Sequence, residues 1–257
     1  LKRAEYFTDP FVGIHKNIFI QDKIFDEYCS LRIDMKNNTV TSIFRSYENK
    51  LYSIQSSLKL KYGSFKDEFP EQLMATRFLK GHEKVLEIGG NIGRNSLVIA
   101  SILTNQSNLV VLESDRNIAN QLSENKNIND MTFHIEASAL SKRKLIQRGW
   151  DTIPSDVILN GYNPVPIIDI DQLNAKYNIA FDTLVLDCEG AFYYILNDMP
   201  EILTGINMII MENDYHNIEH KEYIDQVLKN NNMSVIFSQE GGWGPCKNFF
   251  FEVWQKK

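Results

Sequence analysis

The sequence predicts a doubly wound α/β domain whose sheet is mostly parallel and whose last strand runs antiparallel. Three observations predict it. From residue 83 onward, short apolar runs alternate with helix-like segments, the order expected of a parallel sheet. The first run, Val85-Leu86-Glu87-Ile88, breaks into a glycine-bearing turn and a polar helix start, Arg94-Asn95-Ser96. The last two runs, Met233 to Ser238 and Asn248 to Trp254, are joined only by Glu240-Gly241-Gly242-Trp243-Gly244-Pro245. That loop is too short for a crossover helix, so the two must pair antiparallel.

The pattern places strands at 84–88, 109–113, 131–135, 183–187, 206–212, 233–238 and 247–254. Helices are expected over 94–104, 116–127, 190–198 and 218–230, with Asp115 or Ser114 capping the second. Residues 140–180 interrupt the alternation, because Pro154, Pro164 and Pro166 break helices. A brief helix is expected within Asp169 to Tyr177. Nearer the start, Leu31 to Arg45 alternates around Asn37-Asn38 as a hairpin would. Phe69 to Leu79 reads as a helix with Pro70 in its first turn. Residues 1–64 are therefore expected to be an N-terminal extension or cap, or a separate small domain, and 65–257 the main domain.

The 257 residues, 43% hydrophobic and 23% charged, suffice for one sizeable core. A net charge of −6 offers no basic footprint, which argues against a nucleic-acid partner. No apolar stretch approaches the ~20 residues that span a bilayer. Cys29, Cys188 and Cys246 are widely spaced and odd in number, which reads as free thiols in a reducing, cytoplasmic compartment. Because the chain opens on Leu1, it is expected to be a domain of a longer protein; its oligomeric state is not legible.

The glycine turn is where the chain announces a ligand. A parallel strand ending in glycine lets a nucleoside-sized cofactor approach bare backbone, and the following helix offers N-terminal amides. The dinucleotide fingerprint G-x-G-x-x-G would need glycine at 91 and 94, which are Asn91 and Arg94. The spacing Glu87-x-Gly89-x-x-x-Gly93 is instead the pattern of S-adenosylmethionine (SAM) methyltransferases. Glu113 ends the second strand, 24 positions beyond Gly89, about where a doubly wound sheet places an acid for ribose hydroxyls. Its alternative role is a solvated charge at a helix start. Glu87, Gly89, Asn91, Gly93, Glu113 and Asp187 are the candidate cofactor residues, with the adenine near Ser114, Ala137 and Ser138.

Two later strands end in acids: Asp187-Cys188-Glu189-Gly190 and Glu212-Asn213-Asp214-Tyr215-His216. Neighbouring strand tips lie about 4.8 Å apart, so these carboxylates can converge at the ligand edge of the sheet. Crowded acids raise one another's pKa, a repulsion that a divalent cation with oxygen ligands relieves. Asp187 and Glu189 can also be read as ordinary helix N-caps.

The chain resembles the FkbM-type SAM-dependent methyltransferases over about residues 65 to 215. The resemblance rests on Val85–Gly93, Glu113, Ala139-Leu140-Ser141, Val165–Leu173, Asp187-Cys188-Glu189-Gly190-Ala191 and Glu212. It implies a Rossmann-like class I methyltransferase sheet and methyl transfer from SAM to a hydroxyl, largely of sugars and related metabolites. Sugar O-methyltransferases of antibiotic pathways share that fold. Similarity to them implies Asp187, Glu212 and Asn213 as ligands of Mg2+ or Mn2+, with Glu189 as base. Asn213 departs from their acidic pair, and Asp214 is the alternative donor. His216 is a second candidate base.

Other residues read two ways. His216 and His220 line one helix face or are simply exposed. Trp243 is a platform for a sugar face or packs on its hairpin. Tyr193 and Tyr194 read as core. The leading expectation is thus O-methylation of a saccharide or glycan. A non-sugar acceptor, or a non-catalytic methyltransferase-like module of a larger glycan-modifying protein, are the alternatives.

Overall fold

The structure, a computed structural model, describes residues 17–20, 23–26, 30–43, 46–149 and 151–257. Cys29, His15 and Arg45 lie outside the described residues. In chain order the described strands and α-helices begin with β1 (Asn17–Ile20), β2 (Lys23–Asp26), β3 (Ser30–Asp34), β4 (Thr39–Ile43), α1 (Ser46–Ser57) and α2 (Phe69–Phe78). Next come β5 (Val85–Ile88), α3 (Arg94–Ile102), β6 (Leu109–Leu112), α4 (Arg116–Asn127) and β7 (His134–Glu136). The insertion holds β8 (Ala139–Leu140), β9 (Leu145–Arg148), β10 (Asp151–Pro154), β11 (Asn163–Val165), β12 (Ile167–Ile168) and α5 (Ile170–Tyr177). The last part has β13 (Thr183–Leu186), α6 (Phe192–Asp198), β14 (Met208–Glu212), α7 (Ile218–Asn230), β15 (Met233–Gln239) and β16 (Phe251–Lys256).

Seven strands form the central sheet in the order β15-β16-β14-β13-β5-β6-β7. The pairs among β14, β13, β5, β6 and β7 are parallel, while β16 is antiparallel to both β14 and β15. The expected antiparallel closing pair is present, and its second strand is wedged inside the sheet rather than left at its edge.

β5, β6 and β13 are buried at every position, as strands covered on both faces must be. Alternate residues divide between two cores. Leu86, Val110, Leu184 and Ile209 pack with Leu173, Phe192 and Leu228 of α5, α6 and α7. Val85, Val111, Val185 and Ile210 pack with Met74, Leu97 and Leu122 of α2, α3 and α4. Period-2 side-chain direction produces this division.

The departures from expectation have local causes. α6 begins at 192 because Glu189 and Gly190 both take left-handed backbone (φ 49° and 78°), which no α-helix continues. β16 begins at 251 because Lys247–Phe249 close into a 3-10 turn. The proline-bearing segments around 154 and 164 form the outer strands of a small antiparallel sheet, β10-β9-β11. An edge strand tolerates proline because one side of its backbone has no ladder to lose. Asp169 caps α5 in a reciprocal capping box with Gln172.

β3 and β4 form the expected hairpin; Asp34 accepts the Lys36 and Asn37 amides and Asn38 is left-handed. Beyond α1 the chain is tied down on α4. The Lys59 and Lys61 amides donate to Asn129 Oδ1 (2.8 Å) and Asn125 Oδ1 (2.7 Å).

Candidate active site

A cavity of about 560 Å³ opens at the carboxyl ends of the central strands, where doubly wound sheets take ligands. Its floor is the turn after β5. The Gly89 and Gly90 amides both donate to Leu112 O (3.0 and 2.9 Å), and the Asp187 amide donates to Ile88 O (3.0 Å). The first two bonds tie the turn to the tip of β6, and the third holds the tip of β13 against the end of β5. A Cβ on Gly89 (φ 90°) would stand 1.6 Å from Asp187 O. Only glycine fits there.

Glu113, 6% exposed, stands at the tip of β6 and lines the cavity. It accepts the Asn91 and Asp115 amides at 2.8 Å each, which holds the turn after β5 against the tip of β6. Burial nevertheless raises its pKa. Asp115, not Ser114, caps α4. Gly89, Asn91, Glu113, Ser114, Ser138, Asp187, Glu189 and Glu212 all lie in the cavity wall, so the structure brings most of the sequence-predicted residues together. Ser138 is 3% exposed and its hydroxyl has no hydrogen-bond partner.

Five predicted residues lie elsewhere. Glu87 is absent from the wall and accepts from Asn95 Nδ2 (3.1 Å) and Ser96 Oγ (2.5 Å). It fixes the first turn of α3, and burial pushes its pKa to about 8. Gly93 serves helix packing, since a Cβ there would strike Leu122 Cδ1 at 2.2 Å. Ala137 is exposed and outside the wall. His216 is exposed, also outside the wall, with its ring 4.8 Å from that of Trp243. Asn213 is buried and turned away: its amide Nδ2 donates to Phe249 O (2.7 Å) and Glu252 Oε2 (3.2 Å).

Asn213 follows Glu212, the last residue of β14; Glu212 lines the cavity while the Asn213 amide is bonded to Phe249 and Glu252, so the two do not face one ion together. Among the described residues no three His, Cys, Asp or Glu side chains converge as a metal centre requires. The expected Mg2+ or Mn2+ site has lost its third ligand.

Sequence reasoning missed two acids. Glu68 and Glu71, one helical turn apart around Pro70, enter the wall from the start of α2. Acids repeated at that spacing at a helix start were the available signal. Glu68 takes left-handed backbone (φ 55°) and accepts from Asn91 Nδ2 (2.8 Å) and Arg94 Nη1 (2.5 Å). Burial pushes its pKa to about 7 against the pull of Arg94.

The remaining acids pair with one another. Glu71 is hydrogen-bonded to Glu212, and burial raises both, Glu212 to about 12 with the Asp187 and Glu71 charges adding to it. Asp187 is raised well above its ordinary value by burial and then by Glu68 and Glu71. Glu189 bonds to Asp214, which with burial sets its pKa at about 7. Arg143 is the one basic side chain in the described wall, and Asp198 holds it through two 2.5 Å bonds.

Aromatic residues complete the wall. Tyr194, which reads as core in the sequence, lines the cavity and is 43% exposed. Tyr193 instead stacks flat on His220 at 3.8 Å. Gly242 borders the cavity while neighbouring Trp243 is half exposed. Cys188 also lies in the wall, and burial pushes its thiol to about 12.

No family model matches the chain, and no curated protein does. Solved structures with a similar course are distant. A ribosomal protein L11 methylase from Lactobacillus delbrueckii subsp. bulgaricus shares 12% identity over 77% of this chain and 82% of its own, with a TM-score of 0.47. A protein of the NADB-Rossmann superfamily from Streptococcus agalactiae shares 10% over 78% and 71%, with a TM-score of 0.48. An O-methyltransferase from Bacillus cereus, solved with SAH, shares 14% over 82% and 90%, with a TM-score of 0.44. Among the described residues no helix is long and apolar enough to cross a membrane.

Proposed function

We propose that this chain is a SAM-dependent methyltransferase of the FkbM type that methylates a hydroxyl of a saccharide or glycan, with residues 1–64 as an N-terminal extension of the catalytic domain at 65–257. The observation that carries the reading is the cavity itself: Gly89 backbone, the Glu113 carboxylate and the unpartnered Ser138 hydroxyl share one wall. Glu113 would hold the ribose, and Ser114 and Ser138 would face the adenine. Asp187 would stand at the methionine end. Charge supports the same assignment. SAM carries a sulfonium and an ammonium against one carboxylate, and among the described residues the wall presents acids with a single arginine, already paired with Asp198.

The sulfonium is electrophilic by itself, so the protein's work is in-line placement and removal of a proton from the acceptor. Glu189 is the assigned base. A carboxyl held at about 7 is a far stronger base than an ordinary glutamate and is still half ionised at neutral pH. Its pairing with Asp214 supplies that shift. Glu212 and Asp187 would shape the acceptor side without a metal ion in the scheme.

The test is incubation with SAM labelled in its methyl group and a panel of monosaccharide glycosides, with EDTA in one arm. Labelled glycoside in both arms is expected. Product lost with EDTA would restore the metal; absence of any SAM binding by calorimetry would end the methyltransferase reading.

A further inference from the structure

The helix after the proposed base carries an aromatic ring that the mechanism has not used. Ala191, at the N-cap of α6, and Tyr194, Ile195 and Asp198 within it recur at helical spacing and line the cavity from one helix face. Tyr194 is the aromatic member of that face, and it is 43% exposed. Trp243, the other exposed ring nearby, is outside the wall and lies 4.8 Å from the His216 ring.

The packing behind Tyr194 shows which side of its ring is open. Tyr193 and His220 are stacked 3.8 Å apart and parallel to within 4°. The Tyr194 ring lies 5.1 Å from the first and 5.7 Å from the second, nearly perpendicular to both (81° and 78°). A ring almost equally far from both members stands beside the stack rather than above it. The stack therefore offers ring edges, and Tyr194 meets them with a face, the favourable T-shaped arrangement. Tyr223 of α7 closes on Tyr193 from another direction, again near a right angle (5.2 Å, 75°). One face of Tyr194 is thus occupied by a buttress shared between α6 and α7, and the opposite face is the free one.

A tyrosine held in this way presents a flat surface at little entropic cost on binding, since its two side-chain torsions are already fixed. The face of the ring is electronegative, which suits C–H bonds laid against it. In the same wall Gln147 and Thr152 bring amide and hydroxyl groups from β9 and β10. A ligand with an apolar ring face and a polar rim matches that combination; a pyranose is such a ligand.

We infer that Tyr194 is the platform for the acceptor: a pyranose ring lies with one C–H face on the open face of Tyr194, and its seating there selects the hydroxyl presented to Glu189. Tyr193 and His220 are positioning residues, acting only through Tyr194. The inference rests on the proposed methyltransferase reading and adds a specificity determinant to it.

The experiment is saturation-transfer NMR on the full chain, preloaded with S-adenosylhomocysteine. The probes are methyl β-galactopyranoside, whose H3, H4 and H5 share one face, open-chain galactitol, and catechol as a flat aromatic. The glycoside should receive saturation mainly at H3, H4 and H5, and galactitol should receive none. Tyr194→Ala should weaken the glycoside at least about tenfold in calorimetry, while Tyr194→Phe, which keeps the ring face, should stay within about twofold. His220→Ala should weaken it about threefold and His220→Phe should restore it, as a buttress requires. Affinity for S-adenosylhomocysteine should be unchanged in all four variants. No glycoside binding, saturation spread evenly over the sugar, glycoside affinity that survives Tyr194→Ala, or binding of catechol in preference would overturn the inference. So would loss of S-adenosylhomocysteine binding in Tyr194→Ala, which would give the ring to the adenine instead. Failure of the unaltered protein to bind S-adenosylhomocysteine is a separate result; it would remove the methyltransferase reading itself.

Discussion

Replacing Gly89 by alanine tests whether the glycine turn is a fitted part of the site. Two costs add. Gly89 sits at φ 90°, where a Cβ costs about 1–2 kcal/mol through its own backbone. The new methyl also meets Asp187 O at 1.6 Å, far inside contact, and overpacking of that kind costs about 1–3 kcal/mol. The two tips cannot part freely, because Asp187 N–H is bonded to Ile88 O and the Gly89 amide to Leu112 O. Together the substitution should destabilise by about 2–5 kcal/mol, measured by urea unfolding. What strain is relieved must move Asp187, so affinity for S-adenosylhomocysteine should fall at least about tenfold, a change of about 1.4 kcal/mol. Gly149→Ala is the control: the backbone is also left-handed (φ 59°), yet a Cβ there meets nothing within 4 Å. It should cost only the backbone share, about 1–2 kcal/mol. A Gly89→Ala protein no less stable than the control, with unchanged cofactor affinity, would refute the argument.

Four further outcomes follow from named contacts. Glu189→Gln should lower turnover by about 10²–10⁴-fold with the Michaelis constant little changed, and a loss below tenfold would remove Glu189 as base. In the wild type the rate should rise with pH through about 7, because the base must be unprotonated and its pKa lies there; a rate flat from pH 5.5 to 8.5 would contradict this. Ser138→Ala should leave urea stability within about 0.5 kcal/mol, since its hydroxyl has no partner to lose, yet weaken S-adenosylhomocysteine by about three- to tenfold in calorimetry. Lys221→Met should cost about 3–5 kcal/mol in urea unfolding, because the buried Lys221 ammonium, 2.9 Å from Glu252 and also paired with Asp225, would leave Glu252 uncompensated.

What was legible in the sequence was whatever local pattern alone decides. The runs Val85–Ile88, Leu109–Leu112 and Thr183–Leu186 are wholly apolar or nearly so because both faces of these strands are covered. α4 and α7 begin and end as expected, since Asp115 and Asn217 cap them. Glu113 and Asp187 could be placed in one cavity because parallel strands deliver their carboxyl ends to one edge. Residues whose role depends on the opposite wall were not legible. Glu68 and Glu71 arrive from a helix before the first central strand, and nothing between 68 and 88 records which way that helix packs. Glu87 was misplaced for a subtler reason. Within β5 alternate side chains change face, so an acid two residues before a glycine turn can equally anchor the next helix, as its bonds to Asn95 and Ser96 do. Asn213 was misplaced because the partners that hold its amide, Phe249 and Glu252, lie far along the chain.

The acids of the cavity also bear on turnover. On the proposed reading the bound cofactor is cationic before transfer and neutral afterwards, because the sulfur loses its positive charge with the methyl group. Asp187 is raised by burial and crowded by Glu68 and Glu71, so it gains from a nearby cation and not from a neutral thioether. The same wall therefore holds the reactant more tightly than the product, and the reaction itself removes the charge that retained the cofactor. Such a site needs no separate ejection step. Phe250, Phe251 and residues of β9 and β10 add apolar surface to the same wall, which lowers the polarity around the acids and sharpens their response to charge.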